Sequence, residues 1–239
     1  MVNLLKKTLA ALIAAVILVS AFTYAGVKIT STTNSKAFMG SPAKQEETIV
    51  YLSDNAMYTK RGDKFGVLYD GKTRAIYFLL KENEQYMEVD WKKIKAQTDA
   101  MADFMKGMKW ELKNTGKKEV VGKYDTTIWK FEVKVPPYSD TEITFYIYEN
   151  AKLPPVYVQA TEDMLKLQMT QSEEMMKQFK QMKGLAVKTL IKVKTSQGDY
   201  ESVSDVTNIE YKDLKPSLFE IPKSYRKIDF DLKALSSMQ

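Results

Sequence analysis

From Val27 onward, apolar and polar residues alternate in short runs divided by turn residues. In "VKITSTTNS", Val27 and Ile29 stand against polar neighbours, the period-two signature of a half-buried strand. The runs "ETIVYLSD", "NAMYTKR", "KFGVLYD", "RAIYFLL" and "QYMEVD" follow, separated by Asp54-Asn55, Gly62-Asp63, Asp70-Gly71-Lys72 and Glu82-Asn83. Asp-Gly between two apolar runs is a strong hairpin signal, so the pattern predicts an antiparallel meander. A second sheet section opens with "WELKNTG" and "KKEVVGKYDTTIWKFEVKV". There Trp129, Phe131, Val133 and Val135 alternate with Lys130, Glu132 and Lys134, giving one dry face and one wet face. "TEITFYIYEN" and "LPPVYVQA" are expected to continue this sheet, and "LAVKTLIKVKTSQG" and "DYESVSDVTNIEYKDL" to close it.

Twice the period changes to that of a helix. Residues 91–109 follow Asp90, a fitting N-cap. At about 100° per residue, Trp91, Ile94, Met101, Phe104, Met105 and Met108 share one face, opposite Lys92, Lys95, Asp99, Asp103 and Lys106. A second helix is expected over roughly Glu162 to Lys183, ended by Gly184. Its apolar arc holds Met164, Leu165, Met169, Met175, Met176, Phe179 and Met182, while Lys166, Glu173, Glu174, Lys177 and Lys180 lie outside it. Eight of the chain's 13 methionines fall on these two stretches. A rigid core favours Leu and Ile, whereas methionine re-packs around ligands of different shape.

The start of the chain has a different composition. Lys6-Lys7 precede the uninterrupted apolar run Leu9 to Val19, and small residues follow at Ser20, Ala21 and Ala25. This is the layout of a secretory signal peptide, with cleavage expected after Ala25 and Ala21 as second choice. The run is short for a membrane span, which needs about 20 residues. Removing residues 1–25 leaves 214 of the 239 residues as one domain, and loss of the two lysines lowers the net charge from +6 to +4. The remaining lysines are scattered and form no block, so nucleic acid is not a partner.

The chain has no cysteine, which excludes disulfides and the lipid attachment of a bacterial lipoprotein. It has no histidine, which removes the commonest general base and excludes serine–histidine and cysteine–histidine catalysis. No Gly-rich phosphate loop and no Gly-x-Ser-x-Gly elbow occurs. Acidic pairs such as Glu46-Glu47 and Glu173-Glu174 carry no mark of a buried acid. An enzyme is therefore not expected. Thioethers select Cu(I), but the methionines share their arcs with Trp91, Phe104 and Phe179, as packed side chains do. No metal and no cofactor is expected. Arg61-Gly62-Asp63 has the form of an integrin-recognition tripeptide, but between two strands it reads as a tight turn.

Two short stretches carry a family resemblance. "GKKEVVGKYDTTIWKFEV" resembles a strand pair that turns on a glycine and a tyrosine, here Gly122 and Tyr124. "PSLFEIPKSYRKI" resembles an ending in which Phe219-Glu220-Ile221-Pro222 is the most specific part. Thr126 and Thr127 stand where such proteins often carry cysteine, and Ser224 where glycine is usual. Together these stretches resemble a family of secreted bacterial proteins that belongs with the LolA/LolB-like outer-membrane lipoprotein carriers. The resemblance implies an α+β fold in which a strongly curved antiparallel half-barrel sheet has its concave apolar face covered by two amphipathic helices. It also implies a monomeric, non-enzymatic binding protein, periplasmic or secreted after signal cleavage. Such a protein holds a lipid or acyl chain in a cavity lined by the two methionine arcs and carries it across the envelope. The alternative is a protein-interaction or envelope-stress sensor module with a filled core, whose partner is an envelope protein.

Overall fold

The structure is a computed structural model that describes residues 26–38, 41–100, 108–168, 173–196 and 198–231. The expected leader, and Met101, Phe104 and Met105 of the first helical arc, lie outside the described residues. Six strands come first: β1 (Val27–Ser35), β2 (Lys44–Leu52), β3 (Ala56–Arg61), β4 (Phe65–Asp70), β5 (Ala75–Leu80) and β6 (Gln85–Glu88). Helix α1 (Trp91–Ala100) leads to β7 (Lys109–Val121), β8 (Tyr124–Val135) and β9 (Ser139–Tyr148). Helices α2 (Pro155–Gln168) and α3 (Glu173–Phe179) precede β10 (Leu185–Thr195), β11 (Gly198–Tyr211) and β12 (Arg226–Ile228).

All strands join one sheet, ordered β12-β6-β5-β4-β3-β2-β1-β11-β10-β9-β8-β7. Two meanders meet at its centre, where Val27 of β1 pairs with Leu52 of β2 on one side and Tyr211 of β11 on the other. The first meander runs outward from β1 to β6. The chain then crosses by way of α1 to the far edge, and β7 to β11 run back inward.

The strongly curved, wholly antiparallel half-barrel with a two-helix lid is not what forms. The sheet is open, with β12 and β7 as separate edges, and it is mixed, because β12 pairs with β6 in parallel. Three α-helices, not two, stand among the described residues. Alternation along a strand tells which side chains are dry; it carries no information on how far the sheet coils. The "PVYVQA" stretch, expected as strand, is the first part of α2, with Pro155 as its first residue, where a missing N–H costs nothing. Met108 lies outside any helix, just before β7, and is half-buried.

Two apolar clusters fill the interior. The larger holds Val27, Ile29, Leu52, Met57, Tyr69, Ile76, Met87, Ile94, Val156 and Ala160, among others, and lies mostly under the first meander, reaching Tyr124 of β8 and Leu185 and Val187 of β10. The smaller holds Leu112, Trp129, Phe131, Ile147, Met175 and Phe179, and lies under β7 to β9. Helix α2 spans both, because Met164 and Leu167 pack on the larger cluster and Leu165 on the smaller. The turn between β4 and β5 seats directly on α2: a Cβ on Gly71 would lie 2.8 Å from the Asn55 carbonyl oxygen and 2.9 Å from Val156.

The outer face of the first meander is also covered. Leu68 and Leu79 are buried, yet their neighbours Val67 and Phe78 already face the larger cluster, so these leucines point the other way. On that side the Pro216–Phe219 turn packs on β3 and Tyr225 comes near Tyr58, the cross-strand partner of Leu68. The "PSLFEIPKSY" ending is thus a strap over the back of the sheet. In the other resemblance-bearing stretch, buried Thr126 donates its hydroxyl to the Glu119 carbonyl across the β7–β8 ladder at 2.6 Å.

Candidate functional site

Helix α3 is seven residues long, and alone it would be too short to persist in water. It is held by Met175 and Phe179, one turn apart, which are buried in the smaller cluster. The Phe179 ring meets Phe131 edge-on at 5.1 Å and Phe145 at 6.5 Å. Met182, a further turn along, packs on the same cluster. Glu173, Met176, Lys177 and Lys180 have the same i, i+3, i+4, i+7 spacing on a neighbouring face. This second face lines an open, mainly apolar cleft of about 460 Å³, completed by Trp91 of α1 and Lys166 of α2.

Each wall of the cleft has its own anchor. Asp90 caps α1, its carboxylate accepting from the Lys92 and Lys93 N–H groups at 2.9 and 3.2 Å. One turn on, Ile94 is sunk in the larger cluster, leaving Trp91 at the helix start 39% exposed beside the cleft. On α2, Lys166 donates to Asp163 at 2.9 Å, and Lys180, just past α3, pairs with Glu162 of α2 at 3.4 Å. Lys177 makes no ion pair among the described residues.

Asp163 is the best-tied charge among the described residues. Its side chain is 4% exposed and accepts from the Tyr69 hydroxyl at 2.8 Å, from Arg74 Nε at 2.8 Å, from Arg74 Nη2 and from Lys166. Burial pushes the Asp163 pKa up, but the hydrogen bonds from Arg74, Lys166 and Tyr69 outweigh it and hold the carboxyl below its ordinary value. Burial, and then the bond to Asp163, pushes the Tyr69 phenol up. Arg74 sits on the β4–β5 turn at φ 59°, a left-handed conformation that arginine rarely adopts. Its two bonds to Asp163 hold the turn against α2. Lys166 therefore belongs both to this clamp and to the cleft.

The sequence-predicted residues are not all brought together. Trp91 and Met176 both line the cleft. Met175, Phe179 and Met182 lie behind α3 against the sheet, and Ile94 and Met164 pack with the larger cluster. Of the expected helix over residues 162–183, the described parts are α2, to Gln168, and α3, from Glu173, and Met169 lies outside the described residues. Sequence reasoning placed Lys166, Glu173, Lys177 and Lys180 on a solvated face. Their spacing around Met176 was the available sign that they share a surface with it.

No group of three or more Asp and Glu side chains among the described residues is placed to hold a metal ion. In the Arg61-Gly62-Asp63 turn, Arg61 is bound to Glu46 and Asp63 to Lys60. Among the described residues no helix is long and apolar enough to cross a membrane.

A family profile described as "Domain of unknown function (DUF4412)" matches residues 31–225, and the chain belongs to that family. No curated protein matches it. Among solved structures, PNGF-II is 15% identical with a TM-score of 0.45; the similarity covers 89% of this chain, which spans 32% of the length of PNGF-II. A LolA superfamily protein from Nitrosomonas europaea is 11% identical, TM-score 0.32, over 83% of this chain and 91% of that one. A DUF1329 family protein from Desulfovibrio piger is 12% identical, TM-score 0.35, over 86% of this chain and 94% of that one. At such identities and TM-scores, no ligand or activity passes from these proteins to this chain.

Proposed function

We propose that this member of the DUF4412 family is a non-enzymatic binding protein, periplasmic or secreted after cleavage of residues 1–25, that holds a lipid or acyl chain at the cleft between α1 and α3. The observation that carries the reading is the cleft itself. Two residues that sequence spacing had marked, Trp91 and Met176, are among those that line it. Its volume of about 460 Å³ falls within the roughly 300–1,000 Å³ of small-molecule sites. Met175, Phe179 and Met182 form an adaptable bed beneath α3. Met101, Phe104, Met105 and Met108 belong to the same proposal by their spacing, and Ile94 and Met164 as supports of the flanking helices. Each buried methylene of a bound chain contributes about 0.8 kcal/mol, with no covalent chemistry.

Displacement of a fluorescent fatty acid from the purified protein tests this, with lipid extraction of protein isolated from the envelope as a second measurement. Met176→Glu, which sets a charge against the chain, should abolish displacement while circular dichroism stays unchanged. A protein that binds no fatty acid and co-purifies with no lipid would be the interaction module instead.

A further inference from the structure

We infer that the cleft selects a single-chain anionic amphiphile, its carboxylate held at Lys177 and its alkyl chain laid over Met176 and the Trp91 ring. The inference rests on the binding reading above and adds the head group to it. The lining is mainly apolar, but every ionisable group on it except Glu173 is a lysine. Lys166 and Lys180 are partly balanced by Asp163 and Glu162, which also hold them in place at the rim. Lys177 lies between them in the sequence and is exposed, with no ion pair among the described residues.

The order of charges along α3 gives the ligand a direction. Glu173 stands at the start of the helix, and Lys177 and Lys180 follow one and two turns later. An anionic head is repelled at the Glu173 end and attracted at the Lys177–Lys180 end. A cationic head meets the reverse, with two ammonium groups against one carboxylate. A neutral amphiphile gains the apolar contacts alone. The cleft has the volume of a drug-sized ligand, enough for one alkyl chain, and the vesicle titration below tests a two-chain lipid against it.

Trp91 supplies the readout. It is 39% exposed, so a chain laid over it should shift its emission to the blue, and Trp91→Phe should remove that change while Trp110 and Trp129 remain. The intact protein is titrated with dodecanoate, dodecanol and dodecylamine below their micelle concentrations, and separately with vesicles of an anionic phospholipid. Dodecanoate should bind most tightly, dodecylamine most weakly, and the gap should narrow at high salt. Lys177→Glu should weaken dodecanoate about tenfold and dodecanol much less, because a partly exposed charge acts chiefly on the head. Lys177→Gln should fall between. Equal binding of all three amphiphiles, unmoved by Lys177→Glu, would overturn the head-group inference and leave the binding reading standing. A response to vesicles with none to dodecanoate would overturn the single-chain assignment. Silence towards all of them, with no displacement of the fluorescent probe, would end both.

Discussion

Under the first meander, α2 is joined to the sheet by charge as well as by apolar packing; under β7 to β9, α3 is joined mainly by apolar packing. Asp163 gathers Tyr69, Arg74 and Lys166 at one point, and Val156 fits against Gly71 where no larger residue would. The α3 side offers Met175, Phe179 and Met182 against Leu112, Trp129 and Phe131. A charged clamp fixes one geometry, since a shifted partner leaves a buried carboxylate unpaired. An apolar bed of methionine and phenylalanine tolerates displacement, since sliding costs little when the chains can re-pack. The cleft lies where the two kinds of attachment meet, with Lys166 from the fixed side and Met176 from the yielding one.

Removing the anchor on the yielding side should have the largest effect. Phe179→Ala deletes the ring that touches Phe131 and Phe145, with an expected loss of about 3–5 kcal/mol. In a chain of this size that lowers Tm by roughly 10 °C. Thermal unfolding followed by circular dichroism checks the loss. Probe displacement should weaken as well, because α3 keeps only Met175, Met182 and the Lys180–Glu162 pair to hold it. A variant that melts lower but binds as before would separate the cleft from α3.

Arg74→Ala breaks the clamp on the other side. It leaves Asp163 buried with two of its three partners, and Arg74 itself is half-exposed, so the cost should be roughly 2–3 kcal/mol rather than the larger penalty of a fully buried pair. Ligand binding should survive it, since Lys166 and the α3 face remain. Urea titration of both proteins gives the difference, and an unchanged m-value would show that only stability has moved.

The clamp also predicts a pH dependence that the apolar side lacks. The Asp163 pKa is lowered in the folded chain from an ordinary value of 3.8. Its contribution is therefore complete above that value and is lost as pH falls below it, through the lowered folded pKa. The stability gap between wild type and Arg74→Ala should be constant from pH 7 to pH 5 and close below about pH 4. The gap caused by Phe179→Ala should keep its size over the same range. Parallel loss of both gaps would mean that acid opens the whole sheet at once.

Much of this architecture was legible in the pattern of the chain, and the misses have physical causes. The first meander, the β8 face of Trp129 and Phe131 and the Asp90 cap depend on neighbours in sequence, so alternation and turn chemistry report them directly. The path of the sheet does not, because its order puts β1 beside β11 and the parallel β12 beside β6. The Pro154-Pro155 pair followed by Val-Tyr-Val read as strand, yet a proline at the first helical position and burial of Val156 and Ala160 favour α2. For the candidate site, spacing marked Trp91 and Met176 but assigned the lysines beside Met176 to solvent. Apolar periodicity marks the face turned to the core, whereas this cleft is built on the next face round. Methionine by itself was a poor guide. Met57 is buried in the larger cluster too, and Met87 is at least as deeply buried there as Met175 is in the smaller.

That likeness of burial makes the finest comparison between the two halves. Met87 is fully buried on β6, within the first meander, and Met175 is nearly so beneath the cleft-forming helix. Leucine has almost the volume of methionine, so Met87→Leu and Met175→Leu should each cost less than about 1.5 kcal/mol. Stability alone therefore does not distinguish them. Leucine lacks the thioether's freedom to re-pack, so Met175→Leu should narrow the range of chain lengths that displace the fluorescent probe. Met87→Leu, remote from α3, should leave that range as it was. Displacement curves for alkyl carboxylates of increasing length, measured on both variants, make the comparison. If the two substitutions change the length profile alike, the adaptability is not local to α3, and the methionines beneath it are packing residues like any others.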